Sequence, residues 1–555
     1  MQLEYWLINA TNHYELDSLT SSIDEYRDNL ILNVPEKFRS DSAGIARSSQ
    51  DDLRTTVLAE AGDTTASSPA LELGNLTWAM DNVWLRYRHT MDKRLLKNVL
   101  FPVLRRAVNY LLHNVSEGAD GKIHLPRTYS PEYAFADDCN YNLALLNWGC
   151  RTLLQAAKIL KIADPLIPTW QDTINRMVDP PQDATGLRIG ANRALTSSHR
   201  HYSHLLWFYP LYLLDVTEPQ NRELLERSLK HWVSFTGALQ GYTFTGASSM
   251  SSMLGKCDDA LDYLNTLLDK YVRPNTMYAE TGPVIETPLS GAQSVHDMMI
   301  SSWGDRIRVF PGAPSAWADI TIHRLRTEGA FDVSAVREGG TTQWVYVHSH
   351  AGEPCRIEPG NLPRPWAISP VKGSRPVDYR INGGLVTLQL KAGQGAIIHP
   401  VNARPAPAVI KPVEAGTYSW GRPALVVGAS TPVPLDDAFN HDAITTEENK
   451  ADGNLGSGYT LPAEQLPAAG GFESSGIKFV FPSAADGAKN NIAPAGQKVA
   501  IPAGKYVRFH ALGLSVSGGS TTTVTATYAD GSTAALSLKL SDWAGRPHTV
   551  RRSQC

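Results

Sequence analysis

The sequence lacks the features that mark membrane proteins, nucleic-acid-binding proteins and secretory precursors. No stretch of its 555 residues approaches the roughly 18 consecutive apolar residues of a membrane-spanning helix. Lysine and arginine total 51 against 55 aspartates and glutamates, and a net charge of −4 without a long basic run argues against a nucleic-acid partner. The segment from Met1 to Trp6 has no charged region followed by an apolar core, so no signal peptide is visible.

Cysteine is also scarce. The chain has 5 cysteines, with no C-x-x-C motif and no spacing typical of metal ligands. This odd and sparse set does not make a disulfide framework. Cys139 and Cys150 either pair or, as their apolar surroundings favour, remain buried thiols. Since the sequence also has no Walker loop and no dinucleotide fingerprint, neither a metal nor a cofactor is predicted.

Apolar residues make up 42% of the chain and aromatic residues 8%, enough for large cores. The length suggests three or four domains at roughly 150 residues each. Up to about residue 305 the apolar positions recur with helical period, for example over 202–216, 257–271 and 294–303. Long helices joined by loops rich in Pro, Gly and Ser favour a ring of helical hairpins over a four-helix bundle. We therefore expect a helical domain over residues 1–317.

Beyond about residue 318 the pattern changes to the alternation typical of β-strands. A turn signal at Asn382-Gly383-Gly384 lies between alternating runs, so an antiparallel β-domain is predicted for residues 318–403. The proline-spaced residues 404–434 are predicted to be a linker. Residues 435–555 alternate again, with a hairpin turn at Ala529-Asp530-Gly531-Ser532, and favour an accessory β-sandwich module with a frayed or truncated end.

A first candidate site lies around Glu132. Pro131 restricts the backbone before it, and Tyr129 and Tyr133 can shield its carboxyl group from water. Because an apolar environment raises the pKa of a carboxyl group, this pattern is typical of a general acid that works near neutral pH. The alternative interpretations are a helix-capping carboxylate and a solvated loop charge.

A second cluster combines His199, His201 and His204 with Trp207 at the head of an apolar run. Three interpretations remain open: hydrogen-bonding contacts to the hydroxyl groups of a sugar, buried structural histidines, and a metal site. The H-x-x-H spacing of His201 and His204 provides two metal ligands without an evident third, so sugar contacts are favoured.

A third candidate is Glu286, on a proline-bracketed loop that leads into a helix, where it is a plausible acid/base partner. His296 and Asp297, farther along, are interpreted as core or capping residues. Two carboxyl groups on separate loops, a histidine cluster and many Trp and Tyr side chains together predict a carbohydrate cleft with paired-carboxyl catalysis.

Three segments occur in the order and at about the spacing seen in glycoside hydrolase family 95. They are Tyr129-Ser130-Pro131-Glu132, the run from His199 to Leu205, and the stretch from Ile285 to Pro311. Over about residues 1–400 the sequence resembles this family of inverting α-L-fucosidases and related α-L-galactosidases. The resemblance implies an (α/α)₆ barrel followed by an antiparallel β-sandwich, and metal-independent hydrolysis.

Site residues carried over from the family are also implied by this resemblance. Glu132 becomes the general acid, and Glu286 falls where the family usually has an aspartate beside the attacking water. His199, His201 and His204 line the sugar subsite, with His201 and His204 as the preferred contacts. We add Tyr129 and Trp207 as further expected substrate contacts. The partner is therefore an oligosaccharide or polysaccharide.

At its start, the sequence differs from the pattern of the family. Leu3-Glu4-Tyr5-Trp6 matches the end of an asparagine-rich motif whose two asparagines activate the attacking water, and by this alignment both lie upstream of Met1. We expect an N-terminally truncated family member with an incomplete barrel, in which lost activation of the water lowers the rate by roughly 10²–10⁴-fold. The alternatives are an inactive carbohydrate-binding fragment and another helical-barrel glycosidase such as an α-L-rhamnosidase. A secreted or cell-surface bacterial location is expected if the missing start carries a signal.

Overall fold

The computed structural model describes residues 4–47, 50–273, 277–280, 284–371, 375–403, 430–456, 458–474, 477–504, 506 and 509–543. The chain divides into two compact units, residues 1–414 and residues 415–555. The first unit contains a helical part followed by two β-sheets, and the second is β-rich. The change from helical to alternating sequence pattern near residue 318 therefore corresponds to a real change of structure.

The helices of the first unit are joined by turns, small hairpins and two long connections, residues 33–74 and 177–218. They are α1 (Glu4–Ala10), α2 (Ser18–Glu25), α3 (Arg27–Leu32), α4 (Asn75–Thr90), α5 (Lys93–Leu95), α6 (Phe101–Leu112), α7 (Asn140–Leu160), α8 (Ile167–Arg176), α9 (Pro219–Ser234), α10 (Gly241–Met253), α11 (Cys257–Tyr271) and α12 (Glu286–Met299). Small two-stranded hairpins among them are formed by β1 (Ser116–Glu117) with β2 (Ile123–His124), β3 (Thr128–Ser130) with β4 (Ala134–Ala136), and β5 (Gln182–Asp183) with β6 (Gly186–Leu187).

The helices contact one another in a connected series, and further helices pack on this series. Helix α1 contacts both α12 and α4, α4 contacts α7, and α10 contacts α12. Outside this series, α6 packs on α4 and α7, α8 packs on α7, and α11 packs on α10 and α12. Between α7 and α10, a single 3₁₀ turn at Ser203–Leu205 contacts α7. These contacts define one packed helical part with a shared apolar core.

Small side chains bring α10 and α12 close together. The Ser290 hydroxyl donates to Thr245 Oγ1 at 2.7 Å, and the hydroxyl groups of Ser249 and Ser294 lie 3.2 Å apart one turn farther along. Because pairs four residues apart on one helix meet pairs four residues apart on the other, the two helices run parallel. The N-termini of these helices therefore point to the same end of the helical part.

The expectation of a helix over residues 202–216 is wrong. Only Ser203–Leu205 forms a helical turn there, although Leu205, Leu206 and Phe208 are fully buried. Pro210 has no N–H to donate inside a helix, and Tyr212 has a φ of 48°, outside the right-handed helical region. The apolar spacing in this segment thus reflects burial of an irregular chain from several sides.

Two five-stranded sheets follow the helices and share one core. One sheet has the order β13-β16-β11-β10-β9 and the other the order β14-β15-β12-β8-β7. The strands are β7 (Ile300–Ser301), β8 (Ile307–Val309), β9 (Ile320–Thr327), β10 (Phe331–Glu338), β11 (Thr341–Ser349), β12 (Pro354–Glu358), β13 (Trp366–Pro370), β14 (Asp378–Asn382), β15 (Leu385–Gln389) and β16 (Gly395–Pro400). Apolar residues of both sheets form one buried cluster, so the sheets pack face to face.

The sheets follow the sequence expectation except in one pairing. The predicted turn Asn382-Gly383-Gly384 joins β14 to β15, with a φ of 57° at Gly383. The exception is the pair of β8 and β12, which is parallel. Strands β9, β10 and β11 of the opposite sheet lie between them in sequence, and a connection of that length allows parallel pairing where a hairpin does not.

The second unit is described by itself. Its strands are β17 (Ile444–Thr445), β18 (Leu461–Pro462), β19 (Gly470–Ser474), β20 (Ile477–Phe481), β21 (Ser520–Thr527) and β22 (Thr533–Leu540). Strands β21 and β22 pair in antiparallel register around the predicted turn at residues 529–532. Most of the predicted linker 404–434 and the predicted frayed end beyond residue 543 lie outside the described residues.

Two further expectations concern cysteines and membranes. Cys139, Cys150, Cys257 and Cys355 are free thiols, so the pairing of Cys139 with Cys150 does not occur and the buried-thiol interpretation is correct. Among the described residues, no helix has both the length and the apolar character needed to span a bilayer.

Candidate active site

The candidate site lies where α4, α7, α10 and α12 begin. The Gly74 N–H, just before α4, donates to Asn142 Oδ1 in the first turn of α7 at 2.9 Å. The Thr243 hydroxyl, in the first turn of α10, donates to the Arg200 carbonyl at 2.8 Å. Glu286 is the first residue of α12. The three segments singled out in the sequence therefore meet at one end of the helical part.

Glu132 lies at the tip of the hairpin formed by β3 and β4. Tyr129 pairs with Phe135 in register, and the Tyr133 N–H donates to the Ser130 carbonyl at 2.8 Å, which closes the turn. The rings of Tyr129 and Phe135 pack edge to face at 4.9 Å. This packing fixes the position of the turn, while the Glu132 side chain remains 36% exposed and accessible.

Cationic side chains dominate the surroundings of Glu132. Arg47 Nη1 lies 2.9 Å from Glu132 Oε1, Arg200 Nη2 lies 2.7 Å from Oε2, and His201 Nδ1 lies 3.7 Å from Oε2. Burial raises the pKa of Glu132, but the hydrogen bond from Arg200 and the charges of Arg200 and Arg47 outweigh it, so the pKa lies below its ordinary value. The expectation of a raised pKa is therefore wrong, because the two arginines outweigh the shielding by the tyrosines.

Each arginine is held by a second glutamate. Arg47 Nε lies 3.1 Å from Glu72 Oε1, and Arg200 Nη1 lies 2.9 Å from Glu280 Oε1. The side chains of Glu72 and Glu280 are only 1% and 3% exposed. We call this series of alternating charges, Glu72–Arg47–Glu132–Arg200–Glu280, the carboxylate–arginine chain. Sequence reasoning missed Arg47, Glu72 and Glu280, and the only signal for Arg200 was its place inside the histidine cluster.

The three histidines differ in exposure and contacts. His201 borders Glu132 and packs its ring edge to face on Tyr242 at 5.0 Å. Burial, assisted by the charge of Arg200, lowers the pKa of His201, so its imidazole is neutral at neutral pH. His199 and His204 are buried, and burial lowers the pKa of both. A neutral imidazole offers one donor and one acceptor, which suits the hydroxyl groups of a sugar.

Trp207 and Tyr129 occupy different environments. Trp207 is buried, and its indole N–H donates to Asn140 Oδ1 at 2.8 Å. Tyr129 is half-buried, with the Arg47 guanidinium 5.6 Å from its ring centre. Tyr129 and His201 are thus placed beside Glu132, whereas Trp207 supports the start of α7.

Glu286 begins α12, which packs on α10, the helix that carries Tyr242. Burial raises the pKa of Tyr242, with further contributions from Tyr202 and from the charge of Glu286. The Tyr242 ring contacts His201, which borders Glu132, and Glu286 begins the helix parallel to α10. The two predicted acidic residues therefore lie at the same end of the helical part. Asp297, farther along α12, is buried and accepts hydrogen bonds from Tyr209 and Gln293.

Metal ligation was one of the alternatives for the histidine cluster. Within the part of the chain that the structure describes, no three His, Cys, Asp or Glu side chains come together as a group that holds a metal ion. Glu132 makes its close contacts with arginines, which occupy the positions around its carboxylate. What this arrangement offers is a fixed carboxylate beside neutral imidazoles.

Replacing Arg200 with Met is expected to raise the pKa of Glu132. The carboxylate loses its 2.7 Å partner while Arg47 remains. A lowered folded-state pKa stabilises the fold above the ordinary carboxyl pKa, and this contribution is lost as pH falls through the folded value. In R200M the folded-state pKa lies nearer the ordinary value, so Glu132 contributes less stability at neutral pH and less is lost on going to pH 3 than in wild type. Urea unfolding between neutral pH and pH 3 tests this. A wild-type pH dependence in R200M contradicts the assignment.

Comparison with known proteins identifies matching families in both units. Residues 1–299 match the model of the glycosyl hydrolase family 95 catalytic domain, and residues 429–549 match that of the AziU2-like beta-sandwich domain. A curated relative, alpha-L-fucosidase 2 of Arabidopsis thaliana, is 22% identical over 288 residues, which cover 46% of this chain and 33% of the relative. The matched region thus spans about a third of that relative's length.

Two solved structures are more distant. A chain from the human microbiome described as a kojibiose phosphorylase has a TM-score of 0.44 at 13% identity. The alignment covers 63% of this chain and 51% of that one. An α-L-rhamnosidase of Streptomyces avermitilis complexed with L-rhamnose has a TM-score of 0.36 at 10% identity, with coverages of 58% and 32%. These likenesses are too low to define the fold of this chain.

The first of the family matches covers more than half of the chain. Together with a carboxylate flanked by histidines and arginines near the starts of α4, α7, α10 and α12, it places the protein in the class of glycoside hydrolases. Within that class, the chain belongs to glycoside hydrolase family 95. This confirms the resemblance carried by the segments around Glu132, His201 and Glu286, and the second match confirms a β-sandwich near the C-terminus.

Proposed function

We propose that the protein releases terminal α-L-fucosyl or α-L-galactosyl groups from oligosaccharides or polysaccharides by an inverting, metal-independent mechanism. The observation that carries this proposal is the position of Glu132, an accessible carboxylate at one end of the helical part with His201 and Tyr129 beside it. Family membership supports the reaction class.

In this mechanism Glu132 is the general acid. It donates its proton to the glycosidic oxygen as the bond from that oxygen to the anomeric carbon breaks. A water molecule attacks the anomeric carbon from the opposite face, and the proton of that water passes toward Glu286. The new carbon–oxygen bond therefore has inverted configuration. Because Arg47 and Arg200 favour the ionised form of Glu132, the bound substrate has to loosen one of these pairs before proton transfer.

The remaining predicted residues have supporting roles. We assign sugar contacts to His201, His199 and Tyr129, which lie next to Glu132 or pack on its hairpin. We assign positioning roles to His204 and Trp207, both of which are buried. The proposal includes an (α/α)₆ plan for the helices and the domain division 1–317, 318–403, 404–434 and 435–555.

A second function, carbohydrate binding without turnover, is favoured by one observation. The lowered pKa of Glu132 keeps it ionised at neutral pH, where an ionised carboxylate accepts hydrogen bonds from sugar hydroxyl groups and does not donate a proton. In this alternative the carboxylate–arginine chain is a rigid binding surface.

The test compares hydrolysis of aryl α-L-fucoside, α-L-galactoside and α-L-rhamnoside, with proton NMR to identify the first anomer released. We expect turnover of the fucoside or galactoside, no loss on treatment with EDTA, and the β-anomer as first product. Retention of configuration or preference for the rhamnoside contradicts the proposal. Fucose binding measured by calorimetry without any turnover supports the second function.

A further inference from the structure

Glu72 lies outside the residues used by the proposed mechanism. It comes between the short turn Pro69–Leu71 and the start of α4, and its side chain is 1% exposed. Asn75 Nδ2 donates to Oε2 at 3.0 Å, and the Arg47 guanidinium lies beside Oε1. Among the described groups, Oε1 has no hydrogen bond of good geometry. A buried carboxyl group with so few protein partners is unusual.

Arg47 connects Glu72 to the candidate acid. Its Nε faces Glu72 at 3.1 Å, its Nη1 faces Glu132 at 2.9 Å, and its Nη2 donates to the Ser68 hydroxyl at 2.9 Å. The guanidinium also lies over the Tyr129 ring. One planar group therefore bridges two carboxyl groups, one buried and one accessible. Because both bonds come from a single rigid fork, a change at one carboxyl group is felt at the other.

Glu72 and Glu132 are each surrounded by charged and titratable groups from several neighbouring elements. Glu72 is faced by Arg47 and Glu132, and by the hydroxyl of Tyr141 on α7, whose raised pKa reflects burial first and the charge of Glu72 second. Burial raises the pKa of Glu72 to about 7, against the opposing effects of Asn75 and Arg47.

Glu132 is faced by Arg47, Arg200, His201 and the Tyr129 ring system. Its pKa is lowered, so Glu132 is already ionised in the pH range where Glu72 loses its proton. The two carboxyl groups thus titrate in separate pH ranges.

We propose that Glu72 is a positioning residue, which couples its own proton to the charge environment and orientation of Glu132 through the shared guanidinium of Arg47. When Glu72 is protonated, Arg47 pairs with Glu132 alone. When Glu72 is ionised, the guanidinium is divided between two carboxylates, and the hold on Glu132 weakens. The consequence for catalysis rests on the proposed function of Glu132, whereas the coupling itself does not.

The test follows the Glu132 carboxyl carbon by NMR in protein labelled with ¹³C at the glutamate side chains, assigned by its absence in Glu132→Gln. The wild-type signal is expected to show two inflections with pH: its own, at acidic pH, and a second near neutral pH. Glu72→Gln is expected to abolish the second inflection. Glu60→Gln is the matched control, because Glu60 is an exposed glutamate paired with Lys37 at 2.8 Å, and this variant keeps both inflections.

A wild-type Glu132 signal without the neutral inflection, or an inflection that persists in Glu72→Gln, overturns the proposal. If Glu72→Gln does not fold, the test uses Arg47→Gln instead. In that variant the Glu132 signal is expected to lose its inflection near neutral pH, and its acidic inflection is expected to move to higher pH. This readout needs no turnover, so an inactive protein that shows the coupling contradicts the proposed function alone. Where turnover is present, the pH profile of kcat/KM is expected to lose the same neutral inflection in Glu72→Gln.

Discussion

Glu132→Gln is expected to lower kcat/KM for alkyl and disaccharide fucosides, which have poor leaving groups, by about 10²–10⁴-fold. Glutamine keeps the size of the side chain and can still contact Arg47 and Arg200, but it has no proton to donate to the glycosidic oxygen. An aryl fucoside with an acidic phenol needs little protonation, so its rate is expected to fall much less. The measurement is steady-state kinetics with both substrates.

The matched control for this experiment is Glu60→Gln, which changes the net charge equally at an exposed position. It is expected to leave both rates unchanged. Equal losses for good and poor leaving groups in Glu132→Gln point to binding as the role of Glu132. Unchanged kinetics in Glu132→Gln exclude it as the acid.

Asn140→Ala is expected to destabilise the fold by about 3 kcal/mol, since several buried polar groups lose their partners at once. The Asn140 side chain donates to the carbonyl groups of Pro181 and Arg188 at 2.9 and 2.8 Å and accepts from the Trp207 indole at 2.8 Å. It therefore ties the start of α7 to two other segments next to the site. Urea unfolding of the variant and wild type measures the difference.

Trp207→Phe tests the contribution of the indole hydrogen bond to Asn140 separately from the other two hydrogen bonds of Asn140. It removes the indole N–H and leaves the two carbonyl bonds of Asn140 intact, so a smaller loss of about 1–2 kcal/mol is expected, together with normal fucose binding. If the variant keeps wild-type stability but loses fucose binding, Trp207 contacts the sugar and its positioning role is wrong. If Asn140→Ala costs less than Trp207→Phe, the buried amide is not the centre of this network.

Local sequence signals predicted the regular elements well. Helices α7 and α11 and the hairpins at Gly383 and Gly531 follow from periodicity and turn residues, which act over a few positions. A helix was wrongly predicted for residues 202–216 because burial from several sides gives the same apolar spacing as a helix. The proline inside this segment prevents the helix. Glu286 was expected on a loop but begins α12, since a proline is tolerated in the first turn of a helix.

The amino-acid sequence by itself determined the order of helical and β parts, the family, and the candidates Glu132, Glu286 and His201, because each depends on short motifs or local period. Only the tertiary structure decided the charge state of Glu132. The arginines that lower its pKa, Arg47 and Arg200, lie 85 and 68 positions away in the chain. Electrostatic interactions depend on distance in space, so neither the pairing of these charges nor the burial of Glu72 behind them follows from any local pattern.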